Sequence, residues 1–114
     1  MTDFEVNVRE AGSIPYRVVA VGGEFGLPDV DRLQVMLDDA AADEASVVVG
    51  LEGCRFIDSM ALAALVRAHN GFAAAGRRLV IAGPTGQVRR VLEISGLALD
   101  GLVFADVEAA LNAR

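Results

Sequence analysis

The sequence predicts an α/β fold, a mixed and mostly parallel β-sheet of roughly four or five strands with about four helices and an antiparallel N-terminal edge strand. Three observations carry this. Val47-Val48-Val49, followed closely by Leu51, has no alternating polar residue and therefore reads as a strand covered on both faces, which in a small domain points to a parallel sheet between helices. From Tyr16 onward, short apolar runs alternate with stretches whose apolar residues fall at helical spacing, a pattern that calls for crossover connections. Phe4 to Arg9 instead alternates apolar and polar residues, the period of a strand with one face on a core and one in water.

Taken in order, Phe4 to Arg9 is the expected edge strand. Gly12-Ser13-Ile14-Pro15 is a turn, and Tyr16 to Val21 is a second, more apolar strand, so that the chain opens with a hairpin. Gly22 to Pro28 ends that strand and hands over to a helix, opened by Pro28 or Asp29, with Val30, Leu33, Leu37 and Ala41 on its apolar face. Glycines between a strand and a helix can cradle a phosphate, but this run lacks the dinucleotide fingerprint and the lysine and hydroxyl of a P-loop, and a plain tight turn accounts for it. After the Val47 strand comes a helix from about Ser59 to Ala75, with Leu62, Leu65, Val66, Phe72 and Ala73 inward and Gly76 just past its end. Leu79 to Ala82 is another short strand. Gly83-Pro84-Thr85 turns into a helix with Val88, Val91 and Leu92 inward, closed by Gly96 with Leu97 folded back. Leu102 to Phe104 is the last strand, and Val107 to Leu111 a final helical turn or two.

At 114 residues, the length suits one domain, residues 1–114, with a core of its own. Apolar residues make up 54% of the chain, but no run reaches the ~18 needed to span a bilayer. The start, Met1-Thr2-Asp3-Phe4-Glu5, is acidic and unlike a secretory leader, so a cytoplasmic location is expected. The lone Cys54 excludes an internal disulfide and a cysteine-based zinc site. The net charge is −6, and all ten basic residues are arginine. That balance argues against nucleic acid as the main partner. The absence of lysine also excludes a response-regulator receiver, which needs a lysine beside its phospho-acceptor.

The most informative stretch runs from Val47 to Met60: a β-branched strand, a glycine-bearing turn, the apolar pair Phe56-Ile57, then an acid and a hydroxyl opening a helix. Asp58 and Ser59 are placed where partners and ligands meet open α/β sheets, at a strand's carboxyl end. Both suit an N-cap, and a helix start offers unpaired N–H groups and a partial positive charge to a phosphate on Ser59. A structural cap would also explain the serine.

The order of elements, with Gly23-Glu24-Phe25, Phe56-Ile57-Asp58-Ser59 and Gly83-Pro84-Thr85 leading to Val91-Leu92-Glu93-Ile94-Ser95-Gly96-Leu97, resembles the STAS family from about Phe4 to Leu111. This is the domain of bacterial anti-sigma factor antagonists, found also on the tails of sulfate transporters. The resemblance implies a non-enzymatic binding switch without a cofactor. In it, Ser59 is phosphorylated by an anti-sigma factor that is a serine kinase, the unphosphorylated form binds that partner, and a serine phosphatase resets the switch. Asp58, Met60, Ala61, Glu24, Phe25 and Gly26 would form the partner surface, with Phe25 and Met60 each open to a second reading as core filling. The chain departs from the family pattern where Met60-Ala61 replaces a serine and glycine after the phospho-acceptor and Ala63 a further glycine, where Gly26 replaces an acid, and where Gly50 replaces an aspartate. These departures motivate a rival reading as a phosphorylation-independent scaffold or accessory subunit, of a signalling complex or a lipid-transport ATPase. A hydrolase using Ser59 fails on inventory. There is no Gly-x-Ser-x-Gly elbow, and the sole histidine, His69, lies roughly 15 Å further along the same helix. His69 and Cys54 read as core-edge and core residues, and Arg89 and Arg90 as a solvated face. An exposed edge strand in an acidic domain is compatible with a monomer or a weak dimer.

Overall fold

The structure, a computed structural model, describes residues 2–96 and 101–113. Strands β1 (Thr2–Ala11) and β2 (Ile14–Phe25) form an antiparallel hairpin. A short 3₁₀ turn, Leu27–Asp29, leads into α1 (Val30–Ala42). Next come β3 (Ser46–Gly50), β4 (Cys54–Ile57) and α2 (Ser59–Ala74). The chain continues through β5 (Leu79–Ala82), α3 (Gly86–Ile94), β6 (Val103–Phe104) and α4 (Val107–Asn112). The strand order is β1-β2-β3-β5-β6, every pairing after the hairpin being parallel, with β4 attached to the far end of β2.

The three valines occupy the centre, as their lack of alternation requires. Val47 and Val49 face a core formed with Leu33, Leu37, Leu65, Phe72, Val88 and Leu92 of α1, α2 and α3. Val48 faces the opposite side, against Tyr16, Val18, Val80, Ala110 and Leu111, where α4 packs. A strand buried on both faces loses all its apolar surface to water exclusion, which is why no polar residue interrupts it.

The sheet exceeds the expected strand number because of β4. Tyr16 to Ala20 of β2 pair with β3, and Gly23 to Phe25 pair with β4 with a shift of register between Gly23 and Glu24, so that β3 and β4 lie end to end along one long strand. The turn between them is pinned by the Gly23 N–H donating to the Gly53 carbonyl at 2.9 Å. Helix α2 ends as its glycine suggests: Gly76 has φ +76°, and the Gly76 and Arg77 N–H groups return to the Ala73 and Phe72 carbonyls at 3.0 and 2.8 Å. The place of Leu97 lies outside the described residues. Cys54 is buried, its Sγ 3.3 Å from the Phe56 carbonyl, and burial pushes its thiol pKa up, as suits a small hydrophobe and not a reactive nucleophile. His69 is half-buried with Nδ1 2.7 Å from the Leu79 carbonyl, a core-edge role.

Candidate functional site

Ser59 is the first residue of α2 and is exposed to solvent. It is delivered there by β4, whose backbone runs parallel to the end of β2 and stops at Ile57. Asp58 has extended backbone angles and forms the N-cap: its Oδ1 accepts from the Ala61 N–H at 2.9 Å. Its other oxygen reaches sideways, Oδ2 accepting from the Leu27 N–H at 3.0 Å. One carboxylate thus ties the start of α2 to the turn that follows β2. The Ala61 and Leu27 N–H groups, in that order, hold the Asp58 pKa below the usual carboxylate range.

Gly26 makes this possible. A Cβ built there would sit 2.7 Å from Asp58 Oδ2 and 3.3 Å from its Cγ, so any side chain would displace the carboxylate. The position where the family resemblance anticipates an acid is here occupied by the approach of Asp58. The turn is further braced by Asp29, whose Oδ2 accepts from the Gly26 N–H at 3.0 Å, and by the buried Thr2 hydroxyl, which lies in hydrogen-bond reach of Asp29 and the Glu24 carbonyl.

The seven predicted site residues separate by exposure. Ser59, Met60 and Glu24 are exposed, and Asp58 and Gly26 are half-buried. Phe25 and Ala61 are fully buried, so the side chain of neither is offered to solvent, and for Phe25 the reading as core filling applies. Phe25 fills the core and meets the Phe4 ring edge-on at 5.7 Å, while Ala61 turns inward because the third helical position faces the sheet. Two neighbours that the sequence reading did not single out are exposed. Leu27 and Phe56 remain 56% and 47% accessible, and Met60 48%. Leu27 donates its N–H to Asp58, Met60 directly follows Ser59, and Phe56 lines the same depression as Asp58, so all three lie near the start of α2. Their excess of exposed carbon was legible only once β4 was known to be a strand with Phe56 on its outer face.

Beside Asp58, a depression of about 500 Å³ is lined by Glu24, Gly26, Asp29, Arg32, Phe56 and Asp58. A second hollow, of about 220 Å³, lies between α3 and β6 at Arg89, Leu92 and Phe104 and shares no residue with it. Among the described residues no cluster of histidine, cysteine or acids is arranged to hold a metal.

A further residue supports the site from behind. The Gln87 side chain of α3 pairs with the Ile57 backbone in both directions, Oε1 accepting from its N–H at 3.1 Å and Nε2 donating to its carbonyl at 3.3 Å. The amide stands in for a neighbouring strand at the edge of β4 that β2 leaves open. Nothing in spacing or composition marks Gln87 for this.

The family model described as STAS domain matches residues 5–110. No curated protein matches significantly. Among solved structures, an anti-sigma factor antagonist from Mycobacterium paratuberculosis superposes with a TM-score of 0.82 at 19% identity, covering 97% of this chain and 92% of that one. SpoIIAA, the Bacillus cell fate determinant in its phosphorylated form, gives 0.72 at 20% identity, with 96% of each chain covered. A sulfate transporter family protein from Wolinella succinogenes gives 0.68 at 23% identity over 84% of this chain and 81% of that one. The fold and the match over nearly the whole sequence agree, and the chain belongs to the STAS domain family.

Proposed function

We propose that the chain is an anti-sigma factor antagonist, a bacterial cytoplasmic regulator that binds an anti-sigma factor with serine kinase activity and is released when Ser59 is phosphorylated. The observation that carries this is the exposed Ser59 at the first position of α2, with the exposed apolar side chains of Leu27, Phe56 and Met60 on the turn, strand and helix that meet at Asp58. Exposed apolar side chains near a polar point are what a protein partner covers. A phosphate added at that point brings about −1.5 to −2 charges beside a carboxylate that stays ionised. The helix start favours the phosphate in the free protein, whereas burial under a partner demands that both anions shed water near apolar side chains. The equilibrium shifts toward release, and a serine phosphatase would restore binding. The likeness to antagonists, including one solved in a phosphorylated form, supports the same reading.

The test is intact-mass analysis of the protein recovered from its host, wild type beside Ser59→Ala, followed by titration of the partner with Ser59→Asp. The expected results are a gain of one phosphate that Ser59→Ala lacks, and a loss of affinity of about tenfold or more in Ser59→Asp. An unmodified wild type that binds its partner as well as Ser59→Asp does would overturn the switch and leave a phosphorylation-independent scaffold or accessory subunit.

A further inference from the structure

β1 is a free edge of the sheet among the described residues, with its whole length paired to β2 on the inner side only. Natural edges are blunted by charged side chains, lysine above all, and by proline, bulges or shortness; the charges of β1, Asp3, Glu5, Arg9 and Glu10, are of mixed sign. β1 spans ten residues, carries neither proline nor lysine, and keeps an unbroken register with β2 from Thr2 to Ala11. It also holds two valines in water, Val6 at 46% and Val8 at 70% exposure.

Which backbone groups point outward follows from the hairpin. Its loop is Gly12-Ser13, with φ +64° at Gly12 and the pair Ala11/Ile14 closing it. This is the type II′ arrangement, in which the closing pair is hydrogen-bonded. Counting back by twos, Arg9, Asn7, Glu5 and Asp3 direct their N–H and C=O groups to β2, while Glu10, Val8, Val6 and Phe4 aim theirs at the empty side.

We propose that the chain forms a twofold dimer by antiparallel pairing of β1 with β1 of a second copy, centred on Val6. An antiparallel pair must place outward residues opposite outward residues, which leaves few registers. Centring on Val6 sets Val6 opposite Val6, Val8 opposite Phe4, and Asp3 opposite Arg9, in both directions. A shift that centres on Glu5 sets two carboxylates face to face. One that centres on Asn7 sets Phe4 opposite Glu10. Only the Val6 register matches apolar to apolar and charge to opposite charge, the pairs that stabilise sheets. Phe4, Val6 and Val8 lie on the face that carries Val19 and the larger core, so the joined sheet extends that apolar surface. Arg9 already lies 3.0 Å from Glu108 of α4, both exposed, and a guanidinium with five donors accommodates a second acid.

Sedimentation velocity across a concentration series up to about 1 mM tests this, with circular dichroism to confirm that each variant is folded. Wild type is expected to dimerise weakly, and Val6→Lys, which opposes two ammonium groups on the axis, to remain a monomer. Asp3→Arg and Arg9→Asp alone are each expected to weaken dimerisation roughly tenfold, because each sets like charges opposite one another. An equimolar mixture of the two is expected to recover association as a heterodimer. In it the two introduced side chains, of opposite charge, face each other at one end of the pairing, and the native Asp3 and Arg9 face each other at the other. A monomeric wild type, or a mixture no better than its components, would overturn the proposal. So would an Asp3→Arg variant that dimerises like wild type.

Discussion

At Asp58 a single side chain serves two elements, and Gly26 is the space that lets it. Its folded pKa lies below its unfolded value because the Ala61 and Leu27 N–H groups favour the charged form. The stability it contributes is therefore fully present above the unfolded pKa of about 3.9 and is lost as pH falls through the folded one. Asp58→Ala should cost about 1 kcal/mol at neutral pH, a typical N-cap loss, with the difference from wild type narrowing below about pH 4. Urea melts at neutral and acidic pH measure both, and a difference that does not change with acid would contradict the role given to the carboxylate. Gly26→Ala places a methyl where Oδ2 now lies, 2.7 Å away, and should destabilise by about 1–2 kcal/mol. In the Asp58→Ala background most of that penalty should vanish, because the group it strikes is gone. A double-mutant cycle that returns simple additivity would break the link between the two residues. In the sequence Gly26 shows only as a missing acid. Its reason lies in Asp58, far along the chain and beside it only in the fold.

Among the elements, those whose signal is burial were legible and those whose signal is pairing were not. Val47 to Val49 and Leu79 to Ala82 announced themselves because strands covered on both faces must be apolar throughout. β4 did not, because Cys54-Arg55-Phe56-Ile57 is short and leaves Arg55 and Phe56 exposed, so neither its length nor its pattern rises above a loop. The end of α1 was silent for another reason. It closes with the Ala45 and Glu44 N–H groups returning to the Ala40 and Ala41 carbonyls, but the left-handed position, φ +55°, is held by Glu44 where glycine would have signalled the stop. β4 depends on Gln87 for what a flanking strand would otherwise supply. Gln87→Ala leaves the Ile57 N–H and carbonyl unpaired beneath α3, and a loss of about 1–3 kcal/mol is expected. The Ile57 amide should exchange faster with solvent while β3 amides keep their protection. Uniform loss of protection across the sheet would instead mean that Gln87 stabilises the whole fold and not the platform beneath Ser59.

At the scale of the whole molecule, the α4 face of the sheet is closed by one arginine. Arg78 Nη1 lies 2.7 Å from the Tyr16 hydroxyl, 2.9 Å from the Ala110 carbonyl and 3.0 Å from the Ala113 carbonyl, and its guanidinium stands 5.5 Å from the Phe104 ring centre. Its own N–H donates to Ser46 Oγ at 3.0 Å. Residues from β2, β3, β6 and α4 thus converge on one position at the start of β5. The cation also faces carbonyls at the C-terminal end of α4, where the helix has no partners of its own to offer them. A helix as short as α4 is not stable alone, so its attachment depends on Arg78 together with the buried Ala110 and Leu111. Arg78→Met keeps an apolar stem but leaves the Tyr16 hydroxyl and the two carbonyls without their donor, and should cost about 2–3 kcal/mol. The chain has a single tyrosine and no tryptophan, so tyrosine emission reports on this place alone. Under native conditions the emission intensity of Arg78→Met should move toward that of solvent-exposed tyrosine before global unfolding begins, as α4 lifts away. Arg78→Lys should recover only part of the stability, because an ammonium on a shorter, flexible stem does not hold a rigid guanidinium plane against the Phe104 ring while meeting the hydroxyl and carbonyls. Full recovery by lysine would mean that charge at the helix end is what matters, and the shared-donor account of α4 would fail.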